Sequence, residues 1–165
     1  MLHEESKMQQ QCVSLFKAEY PQYAMLLVHP INEGSQYTRV TGAIHKAEGS
    51  VAGVSDLLFF MAAEFDENIP GFLKFYRHYQ GLCIEFKTPK GKQSPEQKEW
   101  ERMVKAAGYE YKIVRSVDEF RTLIKTWIEH ANLEIKRLIA QEYHEIKKER
   151  EAKELAHFKK VIGKK

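Results

Sequence analysis

Residues 81–87 (GLCIEFK) place an acid and a base two positions apart in an otherwise apolar segment. A short apolar run that follows a glycine is typical of a buried strand. Successive side chains of a strand point to opposite faces, so Glu85 and Lys87 share one face while Phe86 points into the core. The segment therefore predicts a core strand that carries a charged pair on one side.

A second acid, Asp56, lies near the start of another apolar segment, residues 54–61 (VSDLLFFM). A carboxylate is costly to bury unless another group pairs with it. Hard cations such as Mg²⁺ prefer oxygen ligands, often one or two carboxylates together with water and a substrate phosphate. On neighbouring strands, Asp56 and Glu85 would supply such ligands, with Lys87 beside the phosphate. A structural ion pair between Glu85 and Lys87 is the alternative, and spacing alone does not choose between the two.

Before these strands, apolar residues at helical spacing predict a helix over residues 4–19, which Pro21 ends. Residues 23–29 (YAMLLVH) form a short apolar run and predict a buried strand. The following stretch, residues 29–53, contains four glycines and few large apolar residues, as is typical of loops and turns. The N-terminal part is therefore predicted to be a helix, a strand and a long connection.

After residues 81–87, Ser94 opens a helix, because Ser94 and Gln97 have the spacing of a capping box. Gly108 suits the end of that helix. A strand over residues 111–115 and a helix over residues 116–127 follow. The resulting order, α-β-β-β-α-β-α, predicts an α/β domain with a central sheet flanked by helices.

Residues 64–80 interrupt this order with an acidic part followed by an aromatic and basic part (FLKFYRHYQ). We predict an excursion between two strands, outside the core, with a helical turn as one option. Aromatic side chains there offer base-stacking surfaces, although packing is the more frequent role of such residues. These aromatic residues are Phe72, Phe75, Tyr76 and Tyr79.

The C-terminal segment, residues 129–165, holds ten Lys or Arg against seven Asp or Glu, which accounts for the whole net charge of +3. A phosphate-binding segment and a solvated charged helix both fit this composition. Its apolar residues form a helical stripe that predicts packing on the domain or on a second subunit. We therefore divide the chain into a domain, 1–128, and a helical extension, 129–165. The stripe consists of Ile135, Leu138, Ile139, Tyr143 and Ile146.

The cysteine content and the apolar runs suggest a cellular setting. Cys12 and Cys83 form no CxxC pair, so neither a zinc site nor a disulfide framework is indicated. The polar N-terminus has no signal-peptide pattern, and no apolar run reaches the roughly 18 residues of a membrane span. We expect a cytoplasmic protein without membrane contact.

Three longer stretches resemble the virus-type replication-repair nuclease (VRR-Nuc) family of the PD-(D/E)xK nuclease superfamily. They are residues 29–35 (HPINEGS), 45–59 (HKAEGSVAGVSDLLF) and 79–110 (YQGLCIEFKTPKGKQSPEQKEWERMVKAAGYE). With the first helix, the resemblance covers roughly residues 4–127. It implies a restriction-endonuclease-like core with a mixed central sheet, followed here by a helical C-terminal extension. Ser55 departs from the pattern, since many relatives have proline before the aspartate.

The resemblance also implies roles for individual residues. Asp56 and Glu85 resemble the metal-binding acids, and Lys87 resembles the catalytic lysine. The remaining site residues implied in this way are Glu5, an additional acid at the metal; Gln97, the glutamine after the ExK strand; and Phe86, a metal ligand through its backbone carbonyl. Glu5 would equally favour the positive end of a helix dipole, and Gln97 has a complete explanation as a capping-box partner.

A DNA-facing side follows from the resemblance and from the basic turn after Lys87. The alternative for His29 and His45 is that they are ordinary loop residues with satisfied hydrogen bonds. The residues predicted to contact DNA are His29, Asn32, His45, Lys46, Lys90 and Lys92.

The function that the resemblance implies is Mg²⁺- or Mn²⁺-dependent cleavage of DNA, with branched or nicked DNA as substrate. It also implies a bacterial or phage-infected cell, a homodimer, and a helicase or another replication or repair partner. The alternative is a DNA-binding module or complex subunit that keeps the nuclease fold without cleaving. The presence of both acids and the lysine favours the enzyme.

Overall fold

The computed structural model describes residues 4–30, 47–67 and 75–162. The chain forms two compact units, Met1–Ala131 and Asn132–Lys165. The functional division into 1–128 and 129–165 stays a prediction. In chain order, the elements are α1 (Glu4–Glu19), a 3-10 helix (Pro21–Leu26), β1 (Leu27–Val28), β2 (Leu57–Phe59), β3 (Ala63–Glu67), β4 (Phe75–Tyr79), β5 (Leu82–Phe86), α2 (Pro95–Ala106), β6 (Glu110–Val114), α3 (Val117–Glu129) and α4 (Leu133–Ile162).

The central sheet has four strands in the order β1-β2-β5-β6. The pairs β1–β2 and β2–β5 are antiparallel, whereas β5 and β6 are parallel and are joined through α2. This mixed sheet with flanking helices confirms the predicted fold class and the predicted order of the core elements. The first strand is shorter than predicted, because most of residues 23–29 belongs to the 3-10 helix that begins at Pro21.

Alternation along the strands gives the sheet two apolar faces. On one face, Phe59 packs against Phe16 of α1 with ring centres 5.3 Å apart, and Phe86 packs against Phe120 of α3 at 6.1 Å. On the other face, Leu58 and the buried Cys83 pack with residues of α2 and β6. The α2 side of this cluster comprises Trp100 and Val104, and the β6 side comprises Tyr111 and Ile113.

The excursion at residues 64–80 differs from the prediction, because its described parts are strands rather than a helical turn outside the core. Strands β3 and β4 form an antiparallel hairpin in which Phe65 lies opposite Arg77. Phe65 packs against the buried Trp127 of α3 at 5.4 Å and stacks on His130 at 4.4 Å. Tyr79 also contacts Trp127, at 5.7 Å. The hairpin is therefore joined to the core by aromatic packing, a long-range contact that the local pattern of residues 64–80 does not report.

Helix α4 is 30 residues long and forms ion pairs along its own surface, such as Lys147 with Glu151 and Lys153 with Glu149. Within the apolar stripe, Leu138 is 53% exposed. None of the helices in the described parts of the chain combines the length and the apolar composition that a membrane-spanning segment needs.

The packing of the hairpin makes its two faces differ in their contribution to stability. We expect Phe65→Ala to lower the free energy of unfolding by about 2–3 kcal/mol, because it removes ring contacts with Trp127 and leaves a cavity. Tyr76→Ala changes an aromatic residue on the opposite face, where Tyr76 is 57% exposed. This substitution should change the free energy of unfolding by less than about 0.5 kcal/mol. Urea unfolding of both variants measures the difference, and equal losses would contradict the proposed anchoring.

Candidate active site

The two acids named by the sequence meet at one end of the sheet. Leu57 of β2 pairs with Ile84 of β5, and the same register extended by one residue sets Asp56 opposite Glu85. The backbone N–H of Phe86 donates to Asp56 Oδ2 at 2.7 Å, which fixes the aspartate against β5. Both acids therefore lie on the face of the sheet that α2 covers.

Glu85 is 1% exposed and receives three side-chain hydrogen bonds. Its Oε1 accepts from Lys87 Nζ at 2.6 Å and from Gln97 Nε2, and its Oε2 accepts from Tyr111 Oη at 3.4 Å. Asp56 Oδ1 accepts no hydrogen bond from any of the described residues. The lysine and the glutamine thus hold one oxygen of Glu85 in a fixed position beside Asp56.

Burial makes both carboxylates weaker acids than they are in water. Burial and the neighbouring charge of Asp56 raise the pKa of Glu85 to about 7, against the lowering effect of Lys87. Burial likewise raises the pKa of Asp56, and the charge of Glu5 adds to this, whereas the Phe86 N–H and Lys87 lower it. The site therefore concentrates negative charge that its own lysine offsets only in part.

Gln97 satisfies both roles that the sequence left open. The side chain of Ser94 accepts from the Gln97 backbone at 3.2 Å, and Gln97 Oε1 accepts from the Ser94 backbone at 2.9 Å. These bonds form the predicted capping box of α2. The amide nitrogen of Gln97 donates to Glu85, so the first turn of α2 also places a hydrogen-bond donor in the site.

Gly53 sets the distance between the segment before Asp56 and the start of α2. Its φ is +81°, and a Cβ at this position would lie 2.4 Å from the backbone carbonyl of Glu96 and 2.6 Å from the backbone nitrogen of Gln97. Only glycine permits both this conformation and this approach. The close contact brings the capping box of α2 up to the strand that carries Asp56.

Glu5 is joined to the site through the turn that follows β5. Its Oε1 accepts from the backbone N–H of Thr88 at 2.9 Å. Its charge reaches Asp56, whose pKa it raises. Glu5 therefore lies next to the pair of acids, and its place among metal ligands stays a prediction.

His29 lies directly behind Asp56 rather than on a separate surface. Its Nδ1 is 2.7 Å from the backbone carbonyl of Asp56, so Nδ1 carries the proton of this hydrogen bond. The amide of Gln9, on α1 one turn after Glu5, lies 3.0 Å from the same ring nitrogen. His29 is exposed and lines, with Gln9, Asp56 and Gln97, a cleft of about 520 Å³.

Three of the predicted DNA-facing residues, His29, Lys90 and Lys92, belong to the described part of the chain. Lys90 and Lys92 are exposed in the turn after Lys87. Asn32, His45 and Lys46 lie outside the described residues. The structure thus brings His29, Lys90 and Lys92 to the end of the sheet that holds Asp56 and Glu85, and their contacts with DNA stay predictions.

The donor set of the site fits a hard divalent cation. It offers the carboxylates of Asp56 and Glu85, whose repulsion a cation would relieve. The backbone N–H of Lys87 donates to the Val114 carbonyl, toward β6. Because backbone groups of successive strand residues face opposite neighbours, the N–H and the carbonyl of Phe86 face the side where Asp56 lies. The described residues contain no cluster of three His, Cys, Asp or Glu side chains in a metal-binding arrangement. Two carboxylates and a carbonyl are the smaller set that Mg²⁺ combines with water and phosphate.

Sequence reasoning missed three residues that shape this site. Gly53 controls the approach of α2, Tyr111 binds Glu85, and Arg115 binds the turn after β5. The glycine two residues before Ser55 was a usable signal. Tyr111 and Arg115 gave none, because each acts through a contact with a residue that is distant in sequence.

Comparison with known proteins shows the family and the fold of the chain. The model of the VRR-NUC domain family matches residues 3–118 of the chain. A solved structure described as "VRR_NUC domain protein" aligns with a TM-score of 0.60 and 20% sequence identity, and the alignment covers 80% of this chain and 93% of that one. At this identity the likeness shows the fold alone. No curated protein matches the chain.

The contact of Gly53 with α2 predicts different effects of alanine at two glycines with positive φ. The Cβ added by Gly49→Ala has no atom within 4 Å. We therefore expect only the penalty for a side chain at positive φ, about 1 kcal/mol. Gly53→Ala adds overlap with Glu96 and Gln97 and should cost about 2–4 kcal/mol in total. Urea unfolding compares the two variants. Equal losses of unfolding free energy would mean that α2 moves away from the added methyl group without a measurable loss of stability.

The raised pKa of Glu85 predicts a pH dependence of stability in metal-free protein. The folded protein keeps the Glu85 proton up to a pKa of about 7, whereas the ordinary value is 4.5. The resulting contribution to stability is therefore fully present below about pH 4.5 and is lost as the pH rises to about 7. Glu85→Gln removes this titration, so its Tm in EDTA should rise relative to the wild type across that window. A difference in Tm that stays constant from pH 4.5 to pH 7 would contradict the assignment.

Proposed function

Because the chain belongs to the VRR-NUC domain family, a family of nuclease-type domains, we propose that it is a metal-dependent deoxyribonuclease that hydrolyses phosphodiester bonds. The observation that carries the proposal is that the register of β2 and β5, extended by one residue, sets Asp56 opposite Glu85, with Lys87 bonded to Glu85 at 2.6 Å. Two acids and a lysine on one face, at one end of the sheet, form a site that can bind a phosphate and a cation together.

Asp56, Glu85 and the backbone carbonyl of Phe86 are the groups that would hold Mg²⁺ or Mn²⁺ in this proposal, with Glu5 alongside. The cation supplies positive charge that offsets the charge of the phosphate and makes water a better nucleophile. The hydrogen bond from the Phe86 N–H to Asp56 Oδ2 keeps the two acids at a fixed separation. Burial, and after it the charge of Asp56, raises the pKa of Glu85, and a cation between the two acids would offset both effects.

Lys87 is the group that acts on the phosphate and on the attacking water. Its ammonium is buried beside Glu85, so it is a fixed charge rather than a mobile surface cation. A preorganised charge of this kind stabilises the negative charge that develops on the phosphate oxygens during hydrolysis. Gln97 donates to the same oxygen of Glu85 as Lys87 does, and the helix cap keeps its amide in place.

The surroundings of the site suit a nucleic acid. Lys90 and Lys92 follow the catalytic lysine on an exposed turn, where they can bind phosphates next to the one that is cleaved. His29 lines the cleft, and its Nδ1 is bonded to the Asp56 carbonyl. We propose branched or nicked DNA as the substrate, on the basis of the family resemblance.

A cleavage panel tests the proposal. Purified protein is incubated with single-stranded, duplex, nicked, flap and four-way-junction DNA in Mg²⁺, in Mn²⁺ and in EDTA. We expect cleavage only with a divalent cation. Asp56→Asn should abolish it and weaken Mn²⁺ binding in calorimetry, because a neutral amide is a poor ligand for a hard cation. Lys87→Ala should lower the single-turnover rate by about 10²–10³-fold with little change in DNA binding.

Matched variants far from the site control for general damage. Asp66→Asn changes an exposed aspartate of the hairpin, and Lys125→Ala removes a lysine that is 68% exposed on α3. Both should cleave at the wild-type rate. Wild-type Mn²⁺ affinity in Asp56→Asn would remove this residue from the metal site. DNA binding without cleavage of any substrate by the wild type would favour a binding module that keeps the fold.

A further inference from the structure

The turn that follows β5, residues 88–91, is held by contacts from two other parts of the chain. The N–H of Gly91 donates to the Thr88 carbonyl at 3.0 Å, which closes the turn. The N–H of Thr88 donates to Glu5 of α1. A Cβ on Gly91 would lie 2.9 Å from Thr88 Oγ1 and 3.2 Å from Glu5 Oε1, so the turn is tightly packed. Its shape is therefore determined by its neighbours as well as by its own sequence.

Arg115 reaches this turn from the end of β6. Its Nη1 donates to the carbonyl of Thr88 and, at 3.1 Å, to the carbonyl of Gly91. One guanidinium nitrogen, with its two hydrogens, thus joins the first and last residues of the turn. A planar guanidinium suits this task, because its donors are fixed relative to one another, whereas a lysine ammonium rotates freely.

The backbone of Arg115 is itself anchored. The preceding residue, Val114, accepts from the backbone N–H of Lys87 at 3.0 Å, in the last bond between β5 and β6. The backbone N–H of Arg115 donates to Glu119 Oε2 at 2.7 Å. Arg115 therefore connects the end of β6 to the turn at residues 88–91.

The guanidinium of Arg115 bonds to the backbone of the turn, while the carboxylate of Glu119 is bonded to the Arg115 backbone and that of Glu5 to the Thr88 backbone. Among the described residues, its guanidinium hydrogen bonds go to carbonyls rather than to a carboxylate. Lys90 and Lys92 stand exposed on the turn and directly after it. The side chain of Arg115 thus holds the turn that carries Lys90 and precedes Lys92, just after Glu85 and Lys87.

We propose that Arg115 is a positioning residue that fixes the turn so that Lys90 and Lys92 bind DNA phosphates beside the cleavage site. This inference rests on the proposed function, since it assigns a substrate contact of the same site. Arg115 acts through the turn in this account and does not itself touch the phosphate. Its loss then weakens DNA binding because the two lysines lose their fixed position.

Equilibrium binding of fluorescent nicked duplex in EDTA, where no cleavage occurs, tests the inference. At about 50 mM salt, Arg115→Ala should weaken binding about tenfold and lower the salt dependence, as loss of phosphate contacts does. Arg115→Lys keeps the net charge but not the planar fork, so it should still bind about threefold more weakly than the wild type. Arg121→Ala, which removes an arginine paired with Glu19 on the surface, is the charge control and should bind as the wild type does.

A double-mutant cycle separates positioning from direct contact. In a Lys90→Ala, Lys92→Ala background, Arg115→Ala should change affinity by less than about twofold, because the lysines through which it acts are absent. A full tenfold loss in that background would show that Arg115 binds phosphate itself and would overturn the inference. Wild-type binding by Arg115→Lys, or weakened binding by Arg121→Ala, would reduce its role to net charge and overturn it as well.

Hydrogen exchange gives a readout that needs no DNA. The amides of Thr88 and Gly91 should exchange faster in Arg115→Ala and Arg115→Lys than in the wild type, and unchanged exchange would overturn the positioning role. If the wild type binds no DNA, the proposed function and this inference fall together. If the wild type binds DNA and both Arg115 variants bind equally well, only this inference falls.

Discussion

The antiparallel register between β2 and β5 is the constraint on which the candidate site depends. It sets Asp56 opposite Glu85 and turns both acids toward α2, while Leu57 and Ile84 turn toward α1 and α3. Because side chains alternate along a strand, a slip of one residue would move Asp56 to the opposite face. The apolar residues on both faces hold the register, so the packing of the core also places the acids.

Burying two carboxylates opposes this packing, and the surrounding groups show how the opposition is reduced. Glu85 receives hydrogen bonds from Lys87, Gln97 and Tyr111, and Asp56 receives one from the backbone of β5. These bonds do not fully offset the cost of burying the charges, so the pKa of each acid stays raised. A site that is not fully neutralised by its own residues is suited to a cation or to a proton. The fold therefore carries an electrostatic cost in a place where a ligand can offset it.

At the β6 edge of the sheet, carboxylates bind backbone N–H groups, and one of these bonds also anchors Arg115 near the candidate site. The backbone groups of Tyr111 and Arg115 face away from β5, on the open side of the sheet. Glu110 accepts from the Tyr111 N–H at 2.9 Å and Glu119 accepts from the Arg115 N–H at 2.7 Å, so two donors of the edge already have acceptors. Such capping makes the addition of another strand less favourable. The same contact fixes Arg115, whose side chain then holds the turn after β5.

The sequence by itself determined the strand that follows Asp56, the strand that carries Glu85 and is followed by Lys87, the shared face of Glu85 and Lys87, and the capping box at Ser94. These features follow from short-range patterns: alternation in a strand and the spacing of a helix cap. The family resemblance added the mixed character of the central sheet. Tertiary structure alone decided that the hairpin β3–β4 packs on Trp127, that Gly53 touches α2, and that Arg115 holds a turn in the segment after β5. Each of these is a contact between residues more than twenty positions apart. Local periodicity states which side of an element is apolar, but the partner that meets that side is fixed only when the whole chain packs together.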